Sequence, residues 1–284
     1  MLPTFVIGLR EGLEAALIVG IVAAFLKQQG KMRALRQVWL GVGLAVLLCV
    51  GIGVGLKVLE HNLPQKQQEG LETIIAAVAV AMVSYMVVWM KRHSKDLRRT
   101  LQGAAGSALA SGSALALVLM AFLAVLREGI ETAVFLLATF DSSGNVAAAS
   151  SGAILGVLVA VVLGYAIYRG GVKLNLSKFF RATGLVLVLV AAGLVMFALH
   201  TAHEAGWLNS GQHVLATLPG AFGQDSVLGA LATGVFGIQQ KVVVAEVIGW
   251  VLYAIPMGLF VAWPQRRPSR PAAATQQTTT AAAA

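Results

Sequence analysis

Charge is what this chain has least of. Only 12% of its 284 residues are Asp, Glu, Lys or Arg, about half the share of an ordinary soluble domain. With 58% of residues hydrophobic and a mean hydropathy of +0.81, that shortage excludes a globular protein in water and predicts an integral membrane protein. Cysteine is almost absent. The single Cys49 lies in an apolar run, so neither an intramolecular disulfide nor a cysteine cluster for zinc or iron–sulfur can form. The opening "MLPTFVIGLREGLE" lacks a basic n-region and is interrupted by acids, which argues against a cleaved signal peptide. Acids are also fewer than bases, 12 against 21, for a formal net charge of +9. A nucleic-acid surface would explain such an excess. Here the bases cluster between apolar runs instead, where membrane topology accounts for them.

About 20 mostly apolar residues cross a bilayer as a helix. The pattern predicts seven spans, at roughly 3–26, 38–59, 70–90, 114–139, 149–168, 181–202 and 244–263. Lys27, Lys31, Arg33 and Arg36 follow the first; Lys91, Arg92, Lys95, Arg98 and Arg99 follow the third. Arg169, Lys173, Lys178 and Arg181 follow the fifth, and Arg266, Arg267 and Arg270 the seventh. Sixteen of the 21 bases thus fall on alternate sides, with Asp96 the one acid among them. The positive-inside rule makes those segments cytoplasmic, with the N-terminus outside and the C-terminus inside. The expected organisation is one transmembrane domain over residues 1–263, with an outer loop at about 203–243. Within that loop "VLGALATGVFG" could form a short interfacial or re-entrant helix. Residues 264–284, "PQRRPSRPAAATQQTTTAAAA", read as a disordered cytoplasmic tail.

Against this apolar background one pattern occurs twice. "REGLE" spans Arg10 to Glu14 and "REGIE" spans Arg127 to Glu131, in spans of opposite direction. The first three spans, about 3–90, would then recur as the next three, about 114–202, with inverted topology and the seventh outside the repeat. Secondary transporters are built this way, with the substrate site near the midplane between the repeats. The expected fold class is therefore all-α integral membrane, a 3+3 inverted repeat plus one helix.

Residues three and four apart share a helix face, so Arg10, Glu11 and Glu14 lie within about 100° of arc, as do Arg127, Glu128 and Glu131. An ionised side chain at mid-membrane costs about 2.5–3.5 kcal/mol even on the lenient insertion scale, and such residues mark ion pathways. Each motif sums to −1 and the pair to −2, so the ion should be a cation. Glu11, Glu14, Glu128 and Glu131 are the expected metal ligands, hard oxygen donors suited to iron, manganese or magnesium rather than copper(I). Arg10 and Arg127 would hold the carboxylates ionised and spaced by charge-assisted bonds. Gly12 and Gly129 would let a neighbouring helix approach. A stability role for the ion pairs is the plainer reading, but buried pairs are often no better than apolar replacements.

Glu69 and Glu72 open the third span; His200, His203 and Glu204 close the sixth on the same side, with Glu60 and His61 nearby. Glu69, Glu72, His203 and Glu204 are candidates for an outer vestibule that captures metal, against a plainer role in capping and solvation. Glu246 reads as a helix-start acid favoured by the dipole. Met82, Met86 and Met90 form a stripe that reads as packing rather than a soft-metal ladder. Gly51 and Gly55 form a GxxxG pair expected to mark close helix packing, and no strand precedes it as a nucleotide loop would need.

With these residues in view, the chain resembles the oxidase-dependent iron transporters, the family of fungal high-affinity iron permeases and bacterial EfeU-type ferrous or ferric iron permeases. The paired motifs carry the resemblance, joined by "PQKQQEGLE", "YMVVWMKR", "GGVKLNLSKFF" and "HEAGW". It extends over nearly everything before Pro264. The family's iron-site motif falls on Arg10, Glu11, Glu14, Arg127, Glu128 and Glu131, and its acidic segment on Glu69 and Glu72. The resemblance implies high-affinity iron uptake across the inner (cytoplasmic) membrane, with iron as transported substrate and no tightly bound cofactor. It also implies a partner outside the membrane that oxidises or binds iron: a multicopper oxidase in fungi, periplasmic proteins, one of them haem-containing, in bacteria. No nucleic acid is expected, and a homo-oligomer is left open. A permease for manganese or lead is the alternative within transport. A membrane-embedded carboxylate metalloenzyme is disfavoured, since a di-iron helix bundle would use Glu-x-x-His pairs and neither motif contains histidine.

Overall fold

A computed structural model describes residues 1–93, 103, 106–107, 114–143, 146–169, 176–208, 213–217 and 241–263. Among the described residues seven long helices occur: α1 (Leu2–Gln28), α2 (Met32–His61), α3 (Gln65–His93), α4 (Ala114–Ser143), α5 (Val146–Tyr168), α6 (Leu176–Glu204) and α7 (Val244–Ala262). They coincide with the seven apolar runs, extending past them by at most six residues at either end, with α7 one residue short. Five of them, α2, α3, α5, α6 and α7, are long and apolar enough to cross a membrane. Helices α1 and α4 have the length, at 27 and 30 residues. Every stretch of membrane-spanning length in them includes charged motif residues, so their placement in hydrocarbon depends on how those charges are compensated.

Among the described residues, one departure from helical structure lies where α6 stops and α7 starts. Val214–Thr217 (β1) pairs antiparallel with Lys241–Val243 (β2), Val214 opposite Val243 and Thr217 opposite Lys241. The β-branched residues of "KVVV" suit this conformation, and Val243, at φ −101° and ψ 145°, leads straight into α7. The segment "VLGALATGVFG" and residues 264–284 lie outside the described residues.

Helix α1 packs on α5, α2 on α4, α3 on α6, α6 on α7, and α1 on α4. Small residues set the first contact. A Cβ on Gly12 would meet Ala160 Cβ at 2.9 Å, and one on Gly8 would meet the Ala153 carbonyl at 2.7 Å, so the two backbones nearly touch. On the other side, Gly129 of α4 faces Cys49 of α2. The GxxxG pair at Gly51 and Gly55 does not do what its spacing suggested. Both glycines are exposed on α2 with nothing within 4 Å of a Cβ; α2 instead approaches α4 through Gly41 and Cys49. The spacing alone cannot tell which azimuth of a helix meets a neighbour.

The largest buried cluster joins α1, α3, α4, α5, α6 and α7 and includes Leu13, Val83, Phe135, Leu187 and Ala191. Met86 and Met90 lie in it with Met82 packed against it, so the methionine stripe is core. Leu44, Leu47, Val50 and Val54 of α2 and Ile154, Leu158, Val161 and Val162 of α5 point outward. Such apolar bands are stable only against another apolar phase.

Candidate functional site

The motif residues meet where α1 crosses α4. Glu11, Glu14, Glu128 and Glu131 are all buried, as is Arg10 at 1% exposure. One oxygen from each of Glu11, Glu128 and Glu131 lies within 4.8 Å of the others, a three-carboxylate cluster able to hold a metal ion. Two of these acids come from α4 and one from α1. Glu14 stands beside the trio, with its Oε1 3.4 Å from Arg10 Nε.

The two arginines differ. Arg10 is enclosed, and its Nη1 is 4.0 Å from Glu11. Arg127 donates from Nε to Glu131 Oε1 at 3.2 Å and lies 3.9 Å from Glu128. Its side chain is 47% exposed, and its guanidinium sits over the Trp89 ring, 5.3 Å from the centroid. A cation on an indole face is held without giving up its carboxylate partners.

Much of the site's polar capacity is unused. Both oxygens of Glu11, Oε2 of Glu128, Oε2 of Glu131 and Oε1 of Glu14 are buried without a hydrogen-bond partner. An orphaned buried oxygen costs about 1–3 kcal/mol, more when charged, and a bound cation would relieve that cost. With all four carboxylates ionised, the two guanidiniums would leave a net charge of −2, which a divalent cation bound by oxygens would balance. A half-open, largely apolar cleft of about 650 Å³ adjoins the site. Glu11 and Glu128 lie in its wall with Val46, Val50, Leu136 and Phe140, and Lys57 lies toward the ends of α2 and α4.

The expected vestibule residues separate into two groups at the helix ends. Glu69 lies within electrostatic reach of Glu204 and His200. His200 Nε2 is 3.5 Å from Glu204 and its Nδ1 is 3.0 Å from Glu246 Oε1. His203 is not in that cluster, because its Nδ1 bonds the Leu208 carbonyl at 2.7 Å where the chain turns after α6. Gly206, at φ +81°, makes that turn, and Trp207 returns over α3, its ring filling the space where a Gly70 Cβ would stand. Thr73 and Thr201 share a hydrogen bond of 2.8 Å across the same contact. Glu72 belongs to the second group: it accepts from Gln68 at 3.1 Å and lies within electrostatic reach of Asp141, Glu60 and Lys57.

Three members of these groups had no functional signal in the sequence. Glu246 does start a helix, but it is also 2% exposed and paired to His200. Lys57 and Asp141 are joined across 84 residues by a 2.7 Å bond; the Lys57–Glu60 spacing was a visible hint, the cross-helix partner was not.

The chain matches the model of the iron permease FTR1 family over residues 1–266. It is 44% identical over 268 residues to the ferrous iron permease EfeU of Yersinia pestis, covering 94% of this chain and 95% of that one. It is 42% identical to the protein of that name from Escherichia coli O157:H7, covering 94% and 97%. No solved structure matches.

Proposed function

Given that this chain belongs to the iron permease FTR1 family and is a multi-pass membrane permease rather than an enzyme, we propose that it moves ferrous iron into the cell through the two motifs, with Glu11, Glu128 and Glu131 as ligands and Glu14 as the next acceptor. The observation that carries this reading is the buried trio of carboxylates with unpartnered oxygens. Iron(II) is chosen because the relatives are named for it and because its charge would balance that net −2. Arg10 and Arg127 keep the acids ionised and separated while no cation is bound, and weaken the grip enough for the ion to leave. Purified protein in proteoliposomes is expected to take up reduced radio-iron, and Arg127→Ala to cut the rate by about tenfold, the effect of one charge-assisted bond. Uptake of manganese without iron would refute the substrate; a normal rate in Arg127→Ala would refute the arginine's role.

The packing pattern supports an inverted repeat. Exchanging α1, α2 and α3 for α4, α5 and α6 converts the α1–α5 contact into α4–α2, and leaves α1–α4 and α3–α6 as they are. Burial supports a seven-span topology: Arg10 and the four motif glutamates of α1 and α4 are buried, with Arg127 alone of the motif charges partly exposed. The proposed orientation has the N-terminus outside and the C-terminus in the cytoplasm, following the sixteen bases that the sequence puts after the odd-numbered spans. A reporter at the C-terminus of the whole chain is then expected to be active in the cytoplasm, and activity only outside would reverse the topology. An iron-oxidising or iron-binding protein at the outer face completes the pathway in this reading.

A further inference from the structure

Lys57 breaks the charge pattern of this chain. It lies at the end of the bundle opposite the basic loops, on a helix whose neighbouring residues are apolar. Its Nζ donates to Glu60 Oε1 at 2.6 Å and to Asp141 Oδ1 at 2.7 Å, joining the ends of α2 and α4. Both carboxylate side chains are about as buried as those of the motif site, at 5% and 4% exposure, whereas Lys57 is 45% exposed. Each acid keeps one buried oxygen with no partner, Glu60 Oε2 and Asp141 Oδ2. Two enclosed carboxylates with free oxygens are therefore occupied by an ammonium on a flexible stem that reaches open space. Lys57, though neither Glu60 nor Asp141, also lines the cleft that has Glu11 and Glu128 in its wall.

We propose that Glu60 and Asp141 form a second cation site between the ends of α2 and α4, with the Lys57 ammonium as a tethered occupant that an incoming divalent cation displaces. This rests on the transport reading above. A lysine suits the task because its ammonium is a point charge on a mobile chain; an arginine would grip the two carboxylates through its fixed fork. Displacement swings the ammonium outward, giving up its bonds to Glu60 and Asp141, and its return expels the ion. The occupant also stops two adjacent acids from retaining every cation that arrives.

The test uses the full chain in two formats. In detergent, Mn²⁺ binding is read by electron paramagnetic resonance in a background of Glu11→Gln, Glu128→Gln and Glu131→Gln, where the motif site is silenced. Lys57→Met is expected to tighten the remaining site about tenfold and Asp141→Asn to weaken it about tenfold, the scale of one charge-assisted bond. In proteoliposomes with the motifs intact, Lys57→Met is expected to lower the half-saturating iron concentration and the maximal rate together. Lys57→Arg, which preserves the bridge and folding, is expected to raise the half-saturating concentration about tenfold. A lysine that only braced α2 against α4 would leave Arg at the wild-type value and would not tighten Mn²⁺ binding in Met; either result overturns the proposal. Absence of iron uptake by the wild type would instead overturn the transport reading, while the Mn²⁺ titration still decides the role of Lys57.

Discussion

Glu131→Gln is expected to reduce iron uptake into proteoliposomes by about a hundredfold while the protein folds and melts as the wild type does. Glutamine keeps the shape of glutamate and can still accept from Arg127 Nε, now 3.2 Å from Glu131. It removes one of three charges converging on the cluster. Losing a fully buried charge partner costs about 3–5 kcal/mol of binding, and about 1.4 kcal/mol is a factor of ten, so a hundredfold is a conservative expectation. Folding moves the other way. An unpartnered buried carboxylate oxygen, as Glu131 Oε2 is, disfavours the folded state, and an amide is easier to bury than a carboxylate. Arg127 is half exposed, stays over Trp89 and keeps Glu128 at 3.9 Å, so its lost pairing is worth at most about 1 kcal/mol. The two readouts together separate the possibilities. If the ion pairs served stability alone, the variant would melt early and transport normally once folded, and that pattern would remove Glu131 from the site.

Gly156→Ala, which touches no charged residue, is expected to impair uptake nearly as much. A Cβ at this position would lie against the Phe5 carbonyl and 2.8 Å from the Leu9 nitrogen. Both are backbone atoms of α1 in the turn before Arg10, so no side chain can rotate away. The extra methyl must push α1 off α5, at a cost of about 1–3 kcal/mol, and α1 carries Glu11 away from the two acids of α4. Displacing reacting groups by about 1 Å from a preorganised arrangement costs up to about a hundredfold, and loss of uptake by at least tenfold is expected here. Gly51→Ala is the matched control. Its Cβ would meet nothing within 4 Å, and alanine is the better helix former by about 1 kcal/mol, so full uptake and an unchanged or higher melting temperature are expected. Wild-type uptake in Gly156→Ala would mean that the α1–α5 contact does not position the carboxylates.

The membrane class, the seven apolar runs, the paired R-E-G-x-E motifs and the family were legible in the sequence because each is a property of one helix or of the charges at its ends. Hydropathy sets which segments leave water. The i, i+3 and i+4 geometry places Arg10, Glu11 and Glu14 on one face without reference to any other helix. Which faces meet is a different kind of fact. It depends on where two helix surfaces fit, and that is set by contacts between residues far apart in the chain, such as Gly12 against Ala160 and Gly129 against Cys49. Only the tertiary structure therefore decided that Glu11 joins Glu128 and Glu131 while Glu14 stands with Arg10, and that Arg10 is enclosed while Arg127 reaches open space over Trp89. The same holds for Gly51 and Gly55, which face outward despite their spacing, and for His200, which holds Glu246 where His203 bonds a carbonyl instead. Asp141, 84 residues from Lys57, became its partner only when α2 and α4 were laid side by side.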